Sequence, residues 1–114
     1  MPARIANVNF ACEDTLAVAR FWSEVIGRSL APGSNAFFAS IRRGEEGPGM
    51  FFSHVPELKT VKNRAHLDLD SGGDREAQIA HLVGLGARRV ADRDEWGHSW
   101  TVLSDPEGNE FCLA

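Results

Sequence analysis

The residues best suited to chemistry in this sequence are a histidine, an aspartate and a cysteine in its second half. His66 and Asp68 are two residues apart in the stretch RAHLDLD, and Cys112 lies close to the end of the chain. Histidine titrates at a pKa of about 6.5, so it suits proton transfer or a ligand hydrogen bond. A carboxylate on the same face can orient the imidazole, although such neighbours on a strand are about 7 Å apart. The simpler interpretation is that the pair only binds water.

Two repeated patterns predict the elements that carry these residues. Alternating apolar and polar residues at 4–11 and 64–70 are typical of strands with one buried face. Each is followed by a helical pattern that begins after an aspartate, a preferred N-cap, and ends at a glycine. Short strand-like segments follow the helices, at 36–41, 50–55, 87–91, 100–104 and 110–113. The order of strand, helix and further strands therefore occurs twice.

The two halves share one register. Gly27 and Gly86 are 59 residues apart, as are Gly49 and Gly108. Four pairs of apolar positions have the same offset: Val8 and Leu67, Phe10 and Leu69, Ile26 and Leu85, Phe52 and Phe111. This predicts an internal βαβββ duplication in an α+β fold. Because a half of about 55 residues buries too little surface alone, we expect a single domain over 1–114, with module one at about 1–58 and module two at about 62–114.

The register also predicts which polar residues share a sheet face. If the repeated apolar positions lie under the helices, the opposite faces carry Asn7, Asn9, Ser53, His66, Asp68 and Cys112. Unpaired buried polar groups cost about 1–3 kcal/mol each, so a wet cavity that holds a ligand is the simplest arrangement. An open sheet with this face in solvent is the alternative. Trp96 and His98 lie in a predicted loop, and Trp100 begins the strand-like segment after it. The indoles of Trp96 and Trp100 form a wall for an apolar or planar ligand or simply pack.

Composition excludes several classes of partner. Asp and Glu total 16 against 12 Lys and Arg, and the net charge of −4 comes without a basic stripe. Nucleic acid and anionic membranes are therefore not expected as partners. No apolar run approaches the ~18 residues that span a bilayer, and the N-terminus lacks a secretory h-region. Cys12 and Cys112 are interpreted as reduced thiols of a cytoplasmic protein, with a bridge between them as the alternative.

Three segments carry a family resemblance: ARFWSEVIG at 19–27, NRAHLDL at 63–69 and DPEGNEFCL at 105–113. With the paired modules, they resemble the vicinal oxygen chelate (glyoxalase/bleomycin resistance/dioxygenase) superfamily, and within it the short glyoxalase-like branch. The resemblance spans essentially the whole chain. It implies an open, cup-shaped barrel of mixed β-sheet with flanking helices around a central site. It also implies a small-molecule ligand and a homodimer.

The resemblance bears on metal binding as well. Metal enzymes of the superfamily place His and Glu at four strand positions, which correspond here to Asn7, Ser53, His66 and Cys112. Only His66 remains of the expected His and Glu set, and Glu110 is expected one pleat away, at the rim of the cup. No cofactor is therefore firmly predicted, and His66 is a weak candidate ligand for a divalent metal. A His66–Cys112 pair would suit zinc if Asp68 supplied a third ligand.

Two functions follow as hypotheses. The first is a small-molecule-binding module without metal, as in bleomycin-resistance-type members, with Asn7, Asn9, Ser53, Trp96, His98, Trp100 and Cys112 as ligand-binding residues. The second is a metal-dependent lyase, isomerase or dioxygenase resembling glyoxalase I, with His66 and Asp68 in catalytic roles. Cys112 is either a nucleophile, if a nearby His⁺ lowers its pKa, or a small buried apolar residue. Membership of a fold does not choose between these functions.

Overall fold

The computed structural model describes all 114 residues as two compact units, Met1–Leu58 and Lys59–Ala114. Each unit has one helix and one open sheet of mixed strand direction, which confirms the predicted α+β class. Neither helix has the length and apolarity needed to cross a bilayer. The elements in chain order are β1 (Asn7–Cys12), α1 (Thr15–Ile26), β2 (Phe38–Ile41), β3 (Gly49–His54), β4 (Leu67–Leu69), α2 (Arg75–Leu85), β5 (Arg88–Glu95), β6 (His98–Ser104) and β7 (Glu110–Leu113).

The first unit packs α1 on a sheet of order β1-β3-β2, in which β1 and β3 are parallel. The Asp14 carboxylate accepts a hydrogen bond from Ala17 N at 3.3 Å and so caps the free amides at the start of α1. Phe10 stacks on Trp22 and on Phe52, with ring centroids 5.7 and 5.8 Å apart. Since both partners are almost completely buried, this aromatic stack forms the centre of the unit's core.

The first unit has one strand fewer than the βαβββ pattern expected of each module. Residues 28–37 form no strand, although Ala31 N and Asn35 N donate to the carbonyls of Ser40 and Phe38 at 2.8 and 2.9 Å. Pro32 has no amide hydrogen, and Gly33 has a φ of +86°. Both residues interrupt a strand ladder, which explains why only isolated hydrogen bonds form here.

The second unit has the complete module, with the sheet order β4-β7-β6-β5 and β4 parallel to β7. Its helix α2 buries only Ile79 and Leu82, whereas α1 buries five residues. A polar contact adds to this small apolar contact of α2. The Arg89 guanidinium of β5 donates two hydrogen bonds of 3.0 Å to the Glu76 carboxylate of α2. The same guanidinium contacts Asp92 at 2.9 Å, so a charge network fastens α2 to the sheet.

A tight turn joins β5 to β6, where the sequence predicted a loop. Trp96 and Gly97 are its two central residues, with φ values of +51° and +76°, and both strands extend up to the turn. Positive φ at both positions is typical of the turn whose twist matches a β-hairpin. The loop prediction was wrong because Trp-Gly is an unusual pair for such a turn, in which Asn-Gly is the usual signal.

The C-terminal ends of the helices agree with the predicted register between the halves. Gly27 and Gly86, 59 residues apart, end α1 and α2 in left-handed conformations, whereas the N-caps Asp14 and Asp74 are 60 residues apart because α2 is one residue shorter than α1. The pairing register of the parallel strands, however, differs by two residues between the two units. Asp68 of β4 lies opposite Cys112 of β7, whereas Asn9, its equivalent in β1, lies opposite Phe51.

Candidate functional site

A cavity of about 630 Å³ opens on one face of the second unit's sheet. Strand alternation determines which residues line it, because Trp100 and Val102 of β6 face the cavity while Thr101 and Leu103 are buried on the other side. Six of the predicted site residues are part of its lining: His66, Asp68, Trp96, His98, Trp100 and Cys112. The sequence register therefore places one cluster of candidate groups around one cavity.

His66 and Asp68 are in direct contact. The imidazole Nε2 lies 3.2 Å from the Asp68 carboxylate, and the two side chains are 48% and 80% exposed. A regular strand would hold them about 7 Å apart, but β4 begins at Leu67, so His66 precedes the strand and its ring can turn toward the carboxylate. In the tautomer that carries its proton on Nε2, the imidazole can donate to this carboxylate, and Nδ1 can then accept a hydrogen bond from a ligand.

Cys112 is half-buried and lies opposite Asp68 in the sheet. Burial raises the pKa of its thiol, and the negative charges of Asp68 and Glu110 raise it further. Both effects disfavour a thiolate at Cys112 and do not support its interpretation as a nucleophile with a lowered pKa. Neither Cys112 nor the fully buried Cys12 takes part in a disulfide, so the alternative of a bridge between them is not realised.

Glu110 belongs to the same lining. Residues 110 and 112 are two apart on β7 and share one face, so the period of the strand was the signal that could have found it. The Lys62 ammonium lies 2.7 Å from the Glu110 carboxylate, and their hydrogen bond lowers the pKa of Glu110. The Glu110 amide donates to Asn63 Oδ1 at 3.1 Å. The 59–66 connector is thereby fixed beside the cavity.

The aromatic residues of the lining come from the β5–β6 hairpin. Trp96 at its tip is 86% exposed, and Trp100 on β6 is half-buried. His98 begins β6 and is exposed. A non-glycine residue with a positive φ is strained, and bulky side chains at such positions are frequent at functional sites.

The other three predicted site residues lie in the first unit. Ser53 Oγ donates a hydrogen bond to Asn9 Oδ1 at 3.3 Å. The Asn7 side chain is packed against Gly49, where a Cβ would come within 2.5 Å of Asn7 Oδ1. By register, Asn7, Asn9 and Ser53 are the equivalents of His66, Asp68 and Cys112. The first unit therefore carries a neutral version of the cluster, without an imidazole, a carboxylate or a thiol.

The donor set of the second unit fits a divalent metal of the zinc type. One nitrogen, one carboxylate oxygen and one sulfur atom, from His66, Asp68 and Cys112, all lie within 4.8 Å of one another. In a tetrahedral zinc site with bonds of about 2.0–2.3 Å, ligand atoms are about 3–4 Å apart, so small side-chain rotations suffice. A metal held by these three residues would supply a Lewis acid with an open coordination position.

Comparison with known proteins identifies the fold family. A family model described as a glyoxalase-like domain matches residues 7–114. No curated protein matches the chain. A glyoxalase/bleomycin resistance protein/dioxygenase family enzyme from Burkholderia phytofirmans PsJN is similar, with a TM-score of 0.75, 20% identity and 97% of each chain covered.

Two further solved structures share the fold at lower identity. The bleomycin-binding protein from bleomycin-producing Streptomyces verticillus, complexed with copper(II)-bleomycin, has a TM-score of 0.66 and 15% identity, over 100% of this chain and 97% of that one. The oxidase ChaP-H2 has a TM-score of 0.68 and 15% identity, over 99% and 93%. With the family model covering nearly its whole length, this chain belongs to the glyoxalase-like domain family of the vicinal oxygen chelate superfamily.

Proposed function

We propose that this chain binds a small planar organic molecule in the cavity of its second unit, and that binding requires no metal. The observation that carries the proposal is the cavity itself, where exposed indole surface faces a pair of hydrogen-bonding side chains. Ligand sites are typically concave and largely apolar, with a few polar groups that fix the ligand's orientation. Trp96 and Trp100 supply the first property, and His66 with Asp68 supplies the second.

The charges around the cavity favour an uncharged or cationic ligand. Three carboxylates line it, from Asp68, Glu95 and Glu110, against the two cations Lys62 and Arg93. Lys62 is already paired with Glu110 at 2.7 Å. An indole face also attracts a cation through its quadrupole. A flat aromatic cation should therefore bind more tightly than a flat aromatic anion of similar size.

Equilibrium titration with two dyes tests this proposal. Proflavine is a flat aromatic cation, and anilinonaphthalene sulfonate is an aromatic anion. We expect saturable proflavine binding that Val102→Phe weakens, because Val102 lines the cavity and a phenyl ring would fill part of it. Val83→Phe is the matched control, since Val83 lies on α2, is 47% exposed and is not part of the lining. Equal binding by both variants, or no saturable binding of either dye, would contradict the proposal.

We further propose that the protein is a homodimer in the reducing cytoplasm. Several large apolar side chains are exposed in the isolated chain, among them Ile5, Phe37 and Val61 at 74–78%, and association is one way to cover such surface. Sedimentation equilibrium should then give twice the chain mass of 12.5 kDa. A concentration-independent mass of one chain would reject the dimer.

A second candidate is a metal-dependent lyase, isomerase or dioxygenase, and the proximity of His66, Asp68 and Cys112 favours it. Ordinary glyoxalase I activity is not expected, because Ser53 and Cys112 occupy positions where the resemblance implies carboxylates. Hemithioacetal turnover should remain at background after loading with Ni²⁺ or Zn²⁺. Robust metal-dependent turnover would show that the chain is this enzyme after all.

A further inference from the structure

We infer that the ligand of the second unit carries an ammonium group, and that this group replaces Lys62 as the partner of Glu110. The inference rests on the proposed function and names the class of ligand: a flat ring joined by a flexible arm to a protonated primary amine. In this arrangement the ring lies against Trp100 while the ammonium pairs with the Glu110 carboxylate, and both residues line the one cavity.

The side chain of Lys62 shows that an ammonium fits this end of the cavity. Its Nζ donates to Glu110 Oε1 at 2.7 Å, which is the length of a charge-assisted hydrogen bond. Both residues belong to the cavity lining. A ligand ammonium has the same charge and the same kind of donors as the lysine, so it can occupy the same position on the carboxylate.

The two members of this ion pair differ in how firmly they are held. The Lys62 side chain is 81% exposed, whereas that of Glu110 is 23% exposed. Because the lysine stem is flexible and its pair is open to solvent on one side, the ammonium can leave at little cost. The connector stays in place when it does, since the Glu110 amide still donates to Asn63 Oδ1 at 3.1 Å. The carboxylate is therefore a fixed acceptor with a replaceable partner.

The surrounding charges favour an added cation over an added anion. An anion that paired with Lys62 would be repelled by Asp68 and Glu110, which line the same cavity. Burial raises the pKa of the Cys112 thiol, Asp68 and Glu110 raise it further, and Lys62 opposes them with the smallest effect of the four. The field of the two carboxylates thus reaches the thiol between them even with the lysine in place, so a ligand ammonium is attracted to this part of the cavity.

The register of the sheet determines the length of the arm. Ser104 of β6 lies opposite Glu110, and Trp100 precedes Ser104 by four residues, which is about 13 Å along a strand. Val102 and Cys112, which pair with each other between these two ends, also line the cavity. An arm of several methylene groups therefore joins the ring to the ammonium and lies over Val102.

Calorimetric titration with three matched probes at neutral pH tests the inference. The probes 4-phenylbutylamine, 4-phenylbutan-1-ol and 5-phenylpentanoate carry a cation, no charge and an anion on the same ring and arm. We expect the amine to bind more tightly than the alcohol by on the order of tenfold, and the carboxylate to bind least. Glu110→Gln should bring the ratio of amine to alcohol affinity close to one. Asp94→Asn is the matched control, since Asp94 is exposed on β5 and outside the lining, and it should preserve the ratio.

Removal of the competing lysine should have the opposite effect. Lys62→Met should raise the ratio of amine to alcohol affinity by about two- to fivefold, because the ligand no longer has to displace a side chain from Glu110. Lys59→Met removes the same charge from the same connector, but Lys59 does not line the cavity. An equal rise in both variants would show a general effect of charge and would overturn the displacement of Lys62.

Displacement can also be observed directly, because Lys59 and Lys62 are the two lysines of the chain. Protein labelled with ¹³C-lysine therefore gives two sets of lysine signals in a nuclear magnetic resonance spectrum. Saturating 4-phenylbutylamine should move the Lys62 Cε signal toward its position in Glu110→Gln and leave that of Lys59 in place. An unmoved Lys62 signal with the amine bound, or equal affinity for amine and alcohol, would overturn the inference.

Proflavine separates failure of this inference from failure of the proposed function. It is flat and has no arm, so its binding requires the aromatic part of the cavity alone. If Val102→Phe weakens proflavine binding while the amine shows no preference over the alcohol, only the ammonium position is wrong. If neither proflavine nor the three probes bind saturably, the proposed function and this inference both fail.

Discussion

Replacing Trp96 with asparagine should separate ligand binding from stability. The indole is 86% exposed, and a Trp side chain has about 250 Å² of surface. A planar ligand that covers one face would remove about 100 Å² of apolar surface from water, which is about 2.5 kcal/mol or about 70-fold in Kd. Trp96→Asn should therefore weaken proflavine binding by about that factor.

The same substitution should leave the free energy of unfolding within about 1 kcal/mol of the original. The covered part of the indole, about 35 Å², contributes about 0.9 kcal/mol. Relief of the strained φ of +51° at Trp96 offsets this, because Asn-Gly is the preferred pair for such a turn. The melting temperature should shift by no more than roughly 8 °C.

The assay pairs proflavine titration with thermal unfolding on the same samples. Phe37→Asn is the control, since Phe37 is 75% exposed in the first unit and has no part in the cavity. Its proflavine Kd should be unchanged. Unchanged affinity in Trp96→Asn would refute the role of the indole as a ligand surface. A large loss of stability would show instead that the indole is a structural residue.

Three further substitutions test the site and its support. His66→Ala should weaken proflavine binding but change the melting temperature little, because the imidazole is half exposed and contributes little to the packed core. A large loss of melting temperature with intact binding would point to a structural histidine. Gly49→Ala should cost about 1–3 kcal/mol, since its Cβ would meet two backbone atoms at 2.7 and 2.9 Å, and urea unfolding measures this. Hydrogen bonds lower the pKa of Glu76 and Asp92, so their contribution is present at neutral pH and is lost as the pH falls below about 4. Arg89→Ala should therefore reduce the loss of unfolding free energy between neutral pH and about pH 4. An unchanged dependence on pH would show that the Arg89 network does not contribute to stability.

Much of the fold could be predicted because local signals and the repeat agree. Asp14 and Gly27 mark the ends of α1 by ordinary capping chemistry, and Asp74 and Gly86 do the same for α2. The turn at Trp96 could not be predicted, because its conformation follows from pairing of the flanking strands rather than from its own residue type.

The site was predicted in composition but not in its contacts. Period-two alternation placed Asp68 and Cys112 on one face, yet strand pairing is not encoded in alternation. Only the structure shows that Asp68 lies opposite Cys112 and that His66, just before the strand, turns onto the carboxylate. The effect on the thiol follows from these contacts, so the sign of its pKa shift was out of reach of the sequence.

The strand β5 has a consequence for solubility. It is the last strand of its sheet, and it presents unpaired amides and carbonyls along eight residues. Such an edge invites pairing with strands of other molecules, which is a route to aggregation. Six of its residues are charged, in the sequence RRVADRDE, and a bulge between Arg89 and Ala91 bends the edge. Charge and curvature together disfavour continuous pairing with another strand, so the hairpin can hold Trp96 in solvent without making its own edge a site of self-assembly.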